Sequence, residues 1–333
     1  MSEQSGDEDW RPSASLQVLQ LRAQVLHHIR EFFANRRVLE VDTPLLGSTT
    51  NPDPNIDSFS TMYTGPHAPK GVALYLQSSP EFAMKRLLCA GSGPIYQICK
   101  AFRQGECGSL HNPEFTILEW YQPGFDLAAL IAELEALLQG LFKTAGRELA
   151  RTQTITYQQA FHASVDIDPL HASLAELANC LKHHGVEVRG LHNADRDAWL
   201  DVLMSHCIQP HLGKNRMTVV TDYPASQAAL AKSNPDNALT ALRFELFIDG
   251  VELANGFQEL TDVEEQQRRF QQDLVRRKHQ HQHQPPMDAH LLQALTQGMP
   301  DCSGVAVGLD RVIMLLAGAN RLSEVMAFPV GRV

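Results

Sequence analysis

The sequence predicts an α+β fold in which an antiparallel sheet is flanked by helices. Three observations indicate this class. Strand-like segments come in pairs around turn-rich loops, as β-hairpins do. Helical segments separate these pairs instead of following each single strand, which disfavours a parallel βαβ sheet. The chain also contains no internal repeat.

Two predicted hairpins carry the strongest strand signals. Residues 95–102 and 115–121 are rich in apolar side chains and flank a loop that contains Gly, Asn and Pro. Residues 243–248 and 251–257 flank Asp249-Gly250, a dipeptide that favours a two-residue hairpin turn. Further strands are expected at 38–42, 73–77, 217–220 and 304–308.

The helical signals are amphipathic segments with turn residues at their ends. The first of them has Ser13 or Ser15 as a candidate N-cap, and residues 47–70 are expected to form a loop with short extended pieces. Residues 1–12 lack apolar periodicity and are predicted to be a disordered tail, which leaves 13–333 as one domain. Helices are expected at 16–33, 80–89, 127–145, 262–278 and 310–317, with several short ones between 150 and 240.

Composition narrows the class of protein. The 333 residues are 44% hydrophobic and 20% charged, which is typical of a chain with a sizeable core. Lys and Arg number 28 against 38 Asp and Glu, so the net charge of −10 gives no support to a dedicated nucleic-acid binder. The sequence shows no secretion signal and no membrane-spanning segment, which predicts a cytoplasmic protein without membrane association. The six scattered cysteines predict free thiols, and the His/Gln run at 279–284 predicts a solvated loop.

Three segments hold the residues that are suited to phosphate chemistry. The first joins Phe102-Arg103 to the loop 111–115, the second is 252–259, and the third is 308–311. Together they offer arginines for phosphate oxygens, an aromatic ring for a base, and two carboxylates seven residues apart for a hard divalent cation. No Walker-type or Rossmann-type glycine loop is present, which disfavours those two nucleotide folds.

These segments resemble the motifs of class II aminoacyl-tRNA synthetases. Phe102-Arg103 with HNPEF at 111–115 resembles motif 2, GLDR at 308–311 resembles motif 3, and RRVLEVDTP at 36–44 resembles motif 1. The strings HNPEFTILEWY and ELANGFQEL are similar to the lysyl branch. Within it, the chain most resembles the elongation factor P–(R)-β-lysine ligases, a family of truncated relatives of lysyl-tRNA synthetase. The resemblance implies motif 1 at about 16–44, motif 2 at about 95–121 and motif 3 at about 304–317.

The resemblance implies a site for ATP with Mg²⁺. Arg103 would bind the α-phosphate and the substrate carboxylate, and Arg311 would bind the γ-phosphate, so both are expected to be catalytic. Glu252 and Glu259 would hold Mg²⁺, and Phe115 would stack on adenine. The other positions that the resemblance assigns to ATP are Gln104, Gly105, His111, Asn112, Leu253 and Gly308.

It also implies a pocket for an amino acid with two amines. Carboxylates such as Glu81 and Glu119 would offset the cost of removing two ammonium groups from water. Tyr121 and Asn255 match further positions that receive the amines. The complete implied set is Ser79, Pro80, Glu81, Glu119, Tyr121, Asn255, Glu259 and Ala306.

Three positions depart from the family pattern. Gly105 stands where motif 2 usually has Glu, so Glu106 or a backbone contact is expected to replace that Glu. Arg37 stands where motif 1 usually has Gly. Ala306 stands where lysyl-tRNA synthetases have Gly, and its methyl group would reshape the pocket floor for a substrate other than α-lysine.

The function that the resemblance implies is a two-step ligase. It would activate (R)-β-lysine as an adenylate and transfer it to the ε-amine of a lysine on elongation factor P. A homodimer through motif 1 is expected. We do not expect tRNA as the acceptor, because only about thirty residues precede the RRVLEVDTP string of motif 1, too few for the anticodon-binding OB domain of lysyl-tRNA synthetases. The alternatives are a stand-alone amide-forming relative of the asparagine synthetase type and a non-catalytic regulatory paralogue.

Overall fold

The computed structural model describes residues 10–187 and 195–333 of the chain. The chain forms two compact units. The first comprises Met1–Pro123, Thr261–Pro300 and Val307–Val333, and the second comprises Gly124–Leu260 and Asp301–Ala306. Of the predicted disordered tail, residues 1–9 lie outside the described residues. The single domain over 13–333 stays a prediction.

Helices and strands alternate in groups along the described chain. The helices are α1 Leu16–Ala34, α2 Glu81–Cys89, α3 Leu127–Thr144, α4 Tyr157–Val165, α5 Leu174–His183, α6 Arg196–Leu203, α7 Val263–His279, α8 Ala289–Thr296 and α9 Leu309–Leu316. The strands are β1 Leu39–Glu40, β2 Leu46–Gly47, β3 Ser60–Gly65, β4 Ala68–Leu76, β5 Ile95–Phe102, β6 Glu114–Pro123, β7 Ala150–Thr156, β8 Arg216–Pro224, β9 Thr240–Ile248, β10 Val251–Gln258 and β11 Cys302–Gly308. The long predicted helices are confirmed within a few residues.

The first unit contains the hairpin predicted for motif 2. Strands β5 and β6 pair antiparallel from Ile95↔Tyr121 to Phe102↔Glu114, and β1 pairs with β5 in parallel. Helix α1 packs on this hairpin through Phe33, whose ring stacks on Tyr96 with centroids 4.4 Å apart. Motif 2 therefore rests on a rigid base.

A second sheet in the first unit includes the strand predicted at 73–77 and part of the segment 47–70, where a loop with short extended pieces was predicted. Its strand order is β2-β4-β3, and β3 pairs antiparallel with β4. The sequence did not locate β3 within that segment, because most side chains of β3 are exposed and no apolar alternation marks the strand.

The second unit contains strands in the order β11-β10-β9-β8-β7. The predicted turn between β9 and β10 is confirmed: both Asp249 (φ 51°) and Gly250 (φ 77°) have positive φ, as a type I′ turn requires. Strand β7, which pairs with β8 in parallel, was not predicted, because its sequence ARTQTIT is mostly polar. Helices α4, α5 and α6 bury apolar side chains together with Val220 and Phe247 of β8 and β9.

Two further sequence expectations have structural outcomes. The six cysteines are free thiols. The His/Gln run after α7 is an exposed loop as predicted, but His283 Nε2 lies 2.8 Å from the hydroxyl of Tyr75. Among the residues that the structure describes, no helix is long and apolar enough to cross a bilayer.

The end of α1 explains one departure from the family pattern. Arg37 has φ 58°, the left-handed conformation that favours glycine. Its N–H donates to Ala34 O (3.1 Å) and the N–H of Val38 donates to Phe33 O (3.1 Å), the two bonds of a Schellman motif. Arg37 therefore has the backbone conformation that is typical of glycine, the residue that the family usually has at this position.

Replacing Arg37 by Gly should stabilise the protein. A non-glycine residue in the left-handed region costs about 1–2 kcal/mol, which exceeds the extra chain entropy that glycine has in the unfolded state. We expect the free energy of unfolding to rise by about 0.5–1 kcal/mol, measured as a shift in the urea midpoint. Arg36→Gly is the control, because Arg36 does not have a positive φ and its replacement should destabilise. A midpoint for Arg37→Gly at or below that of Arg36→Gly would contradict this reading.

Candidate active site

The residues implied by the resemblance fall in both units. In the first unit Arg103 directly follows β5, and its N–H donates to Pro113 O (2.9 Å), which extends the hairpin. Its guanidinium lies 5.0 Å from the ring centroid of Phe115, and Nη1 is 3.5 Å from Glu106 Oε1. The Nε of Arg103 is buried and donates no hydrogen bond to any residue that the structure describes. Arg103 is thus held at its base and keeps a donor available for an anion.

The residues after Arg103 are fixed from the opposite side. The N–H of Gln104 donates to Asp57 O (2.7 Å), and the buried guanidinium of Arg277 donates to Asp53 O (2.8 Å) and to Asp57 Oδ1 (2.5 Å). The backbone of Gly105 has φ 85°, a value that a glutamate residue rarely adopts. This conformation accounts for Gly in place of the family Glu. The expectation that Glu106 takes over the role of that Glu stays a prediction.

The loop residue His111 meets Arg311 of α9. Arg311 Nη2 lies 2.8 Å from His111 Nε2, and Arg311 Nε donates to Leu110 O (3.2 Å). A guanidinium has only donors, so Nε2 of His111 is the acceptor in this contact. The predicted motif 2 and motif 3 residues are therefore brought together in the first unit.

Sequence reasoning missed the structural role of Asp310, the neighbour of Arg311. Its carboxylate is buried, accepts from the N–H of Thr116 (2.7 Å) and pairs with Arg22 of α1. This contact joins the start of α9 to β6 and to α1. The signal was a carboxylate at the start of a predicted helix, between Leu309 and Arg311.

Asn112 is buried with both ends of its amide occupied. Its Nδ2 donates to Glu114 O (2.6 Å), and its Oδ1 accepts from the N–H of Val330 (3.0 Å). The structure gives Asn112 a role in fixing the loop against the C-terminal segment. Its contact with the nucleotide stays a prediction.

Glu119 forms the buried centre of the predicted amine pocket. It is 2% exposed, its Oε2 accepts from the hydroxyl of Ser79 (2.8 Å), and its Oε1 accepts from the hydroxyl of Tyr121 (2.6 Å). Two hydroxyl donors stabilise a buried carboxylate. The arrangement suits the binding of an ammonium group.

The second carboxylate of this pocket has a partner that the sequence did not reveal. Glu81, at the start of α2 after Pro80, has its Oε1 2.7 Å from Nζ of Lys85 one turn later. Its N–H donates to Ser79 Oγ (3.0 Å), which links it to the Glu119 cluster. Lys85 is only 1% exposed. The spacing of four residues was visible in the sequence, but the burial of both charges was not.

In the second unit a register shift places the two predicted Mg²⁺ ligands on one face. Residues an odd number apart in a regular strand point to opposite faces, so Glu252 and Glu259 should diverge. The pairing of β10 with β9 shifts between Glu252 and Ala254, so that Glu252 pairs with Phe247 and Asn255 pairs with Glu245. Phe247 and Glu245 share a face, and therefore Glu252 and Asn255 do too. The pairing continues to Phe257, and the same alternation carried to Glu259, the residue after β10, would bring its side chain to this face.

The residue that the shift skips is Leu253, which was expected to contact the nucleotide through its backbone. A bulged residue is left out of the regular ladder. The pairing agrees with that expectation, and the contact itself stays a prediction.

The packing around Gly256 leaves no room for a side chain. A Cβ at this position would lie 2.4 Å from Cε1 of Phe244 and 3.0 Å from Gly304 O. The glycine between Asn255 and Glu259 thus allows β10 to pack closely. On β11, Ala306 is half-buried beside the buried Val305, and its effect on substrate choice stays a prediction.

The donor set of the second unit fits a magnesium ion that is shared with a phosphate ligand. Among the residues that the structure describes, no group of three or more His, Cys, Asp and Glu side chains is arranged to hold a metal. Mg²⁺ commonly uses one or two carboxylates and completes its shell with water and substrate phosphates. Glu252 and Glu259 on one face match that pattern.

Comparisons with known proteins agree with this architecture. A family model described as tRNA synthetases class II (D, K and N) matches residues 8–332. The chain belongs to this family. The predicted fold, an antiparallel sheet flanked by helices, is thereby confirmed as the class II synthetase core.

Curated relatives match the chain over nearly its whole length. The elongation factor P–(R)-β-lysine ligase of Edwardsiella ictaluri is 48% identical, and that of Erwinia tasmaniensis is 47% identical. The enzyme of the same name from Pseudoalteromonas translucida is also 47% identical, and each match covers 97% of this chain and 98% of the relative. The chain is an ATP-dependent ligase of the class II synthetase type. This finding disfavours the alternative that the chain is a non-catalytic regulatory paralogue.

Replacing Asp310 should destabilise the first unit. Asp310→Ala removes the carboxylate that pairs with the partly buried guanidinium of Arg22 and leaves the backbone N–H of Thr116 without its acceptor, so we expect the free energy of unfolding to fall by about 3 kcal/mol. Asp310→Asn, which keeps an acceptor for Thr116, should cost less. The measurement is urea denaturation, with Asp236→Ala as a control at an exposed carboxylate. Equal midpoints for Asp310→Ala and Asp236→Ala would show that Asp310 does not anchor α9.

Proposed function

We propose that this ligase activates (R)-β-lysine with MgATP and transfers it to the ε-amine of a lysine on elongation factor P. The observation that carries the proposal is the buried Glu119, held by Ser79 and Tyr121 and linked to Glu81. Buried carboxylates of this kind favour a substrate with amines and disfavour the acidic substrate of an asparagine synthetase type. The relatives, which are named as elongation factor P–(R)-β-lysine ligases, support the same substrate pair.

In the first half-reaction a carboxylate oxygen of the amino acid attacks the α-phosphorus of ATP. A new P–O bond forms, the bond to the pyrophosphate leaving group breaks, and an aminoacyl-adenylate results. Arg103 would stabilise the charge that develops on the α-phosphate through its unoccupied Nε donor. Arg311 would bind the γ-phosphate near the start of α9, where the helix dipole also favours an anion.

The second unit would supply the cation site. Glu252 and Glu259 would hold Mg²⁺, which neutralises phosphate charge when it is bound. Catalysis by the residues of the chain is then a matter of positioning and electrostatics, without an enzyme nucleophile.

In the second half-reaction the deprotonated ε-amine of the acceptor lysine attacks the acyl carbon. The new bond is an amide, and AMP leaves with the electron pair of the broken C–O bond. A protein acceptor is favoured over tRNA because a net charge of −10 gives no long-range attraction for a polyanion. Modification of a translation factor also agrees with the predicted cytoplasmic location.

The closing experiment is ATP–pyrophosphate exchange with a panel of lysine isomers, followed by transfer to elongation factor P or tRNA. We expect exchange with (R)-β-lysine and label on the protein but not on tRNA. Arg103→Ala and Glu252→Ala should each lower exchange by about 100-fold or more, because each removes a charge that faces phosphate or Mg²⁺. Arg86→Ala, at an exposed arginine of α2, is the control and should leave exchange unchanged.

Three outcomes would contradict the proposal. Pyrophosphate exchange near the wild-type rate in folded Arg103→Ala would show that Arg103 does not act on the α-phosphate of ATP. Label on tRNA at a rate equal to that on the protein would overturn the choice of acceptor. Label that persists after the acceptor lysine is replaced by arginine would show a different chemistry of transfer.

We also propose a homodimer through residues 16–44. Leu16 is 70% exposed and Leu39 is 56% exposed, so motif 1 leaves apolar surface that a second copy would cover. Light scattering at micromolar concentration should give the mass of a dimer, and Leu39→Glu should shift it towards the monomer. Leu239→Glu is the control, since Leu239 is a similarly exposed leucine of the second unit. A monomer in the wild-type protein would refute this assembly.

A further inference from the structure

A largely buried arginine of the second unit donates a hydrogen bond to one of the predicted substrate residues. Arg243 of β9 has a side chain that is 16% exposed, and its Nε donates to Asn255 Oδ1 across 3.2 Å. Neither composition nor motif pointed to this residue. The contact is on the same face of the sheet as Glu252, because Asn255 pairs with Glu245, two residues after Arg243.

The contact fixes which end of the Asn255 amide points towards Arg243. A guanidinium carries only N–H donors, so the atom that it faces must be the amide oxygen. With its oxygen turned to Arg243, the amide presents its NH₂ group on the other side. An N–H donor binds an oxygen atom and does not accept a hydrogen bond from an ammonium group.

The guanidinium cannot rotate to release the amide, because its other nitrogens are held as well. Nη1 donates to Gln227 O (2.7 Å), and Nη2 pairs with Oε1 of Glu245. Glu245 is in turn held through Oε2 by the hydroxyl of Tyr223 (2.7 Å), and the Tyr223 ring lies 4.5 Å from the guanidinium carbon. Burial raises the pKa of Glu245, and the adjacent guanidinium opposes that rise.

A stability role alone does not account for this cluster. Buried ion pairs are often no more stabilising than apolar side chains of similar volume. What the cluster provides is orientation, since each nitrogen of Arg243 has an acceptor and one of those acceptors is Asn255.

We propose that Arg243 is a positioning residue which locks Asn255 as an N–H donor to an oxygen atom of the bound amino acid. This inference rests on the proposed function for the identity of the substrate. It replaces the expectation that Asn255 receives an amine. The interaction between Arg243 and Asn255 is a property of the second unit alone.

The first test separates a donor from an acceptor at position 255. Asn255→Asp keeps the oxygen that faces Arg243 but replaces the NH₂ group by a second oxygen. We expect the KM for the amino acid in pyrophosphate exchange to rise at least tenfold, with the KM for ATP within twofold of wild type. An unchanged or lower KM for the amino acid would mean that Asn255 receives an ammonium group, and the proposal would be wrong.

The second test asks whether Arg243 acts through Asn255. Arg243→Lys keeps a cation beside Glu245 but loses the fork that reaches Asn255 at the same time. It should also raise the KM for the amino acid at least tenfold, and it should add less than twofold in the Asn255→Ala background. Effects that multiply, or equal rises in both KM values, would show a merely structural role. Arg147→Lys, at a half-exposed arginine that pairs with Asp249, is the matched control.

A third measurement does not depend on activity. In protein labelled with ¹⁵N-asparagine, the side-chain amide of Asn255 is assigned by its loss in Asn255→Ala. We expect this signal to shift and broaden in Arg243→Lys but not in Arg147→Lys, and an unchanged signal would overturn the inference. If the wild-type protein shows no exchange with any lysine isomer, the proposed function fails, and this measurement still decides the role of Arg243.

Discussion

Strand β10 and the residue that follows it can present Glu252, Asn255 and Glu259 together only because the pairing of β10 with β9 shifts by one residue. The alternation of side chains in a strand is a strict geometric constraint, and the seven-residue spacing of the two carboxylates conflicts with it. The shift between Glu252 and Ala254 removes the conflict. Gly256 then allows close packing on Phe244 at the next paired position. The chemistry that we propose for the second unit depends on this local irregularity.

The first unit solves a different problem, which is the burial of charge. Glu119 is stabilised by hydroxyl donors, Glu81 by an ammonium, and Asp310 by a guanidinium and a backbone N–H. Each carboxylate thus has a fixed partner within its own unit, so its position is defined before any ligand binds. Preorganisation of this kind lowers the cost of reorganising the site during reaction.

Much of the fold could be predicted from local signals. The hairpin of β5 and β6 has long apolar strands around a turn-rich loop, and the turn of β9 and β10 has Asp-Gly, so both were found. Strand β3 was missed because its side chains are exposed. In these cases a strand could be predicted only where buried side chains or a turn dipeptide produced a recognisable pattern in the sequence.

The site was predictable as a set of residues but not as a set of contacts. Arg103, Arg311 and the carboxylates were identified through motif resemblance. Lys85 and Arg243 were not, because a charged residue is usually solvated and nothing in the sequence marks these two as buried. The bulge at Leu253 was equally hidden, since an apolar residue in a strand gives no sign of a change in register.

The pairing of Lys85 with Glu81 has a consequence for how the enzyme would choose among amino acids. The pocket already contains one ammonium group of its own, so Glu81 is electrically balanced when the site is empty. An incoming amine at Glu81 would share a carboxylate with Lys85 and would not neutralise a bare charge. Recognition there gains little from net attraction and depends on whether the amine fits the remaining lone pairs. Such a subsite would distinguish positional isomers of the amino acid by their shape and would attract all of them with similar electrostatic strength.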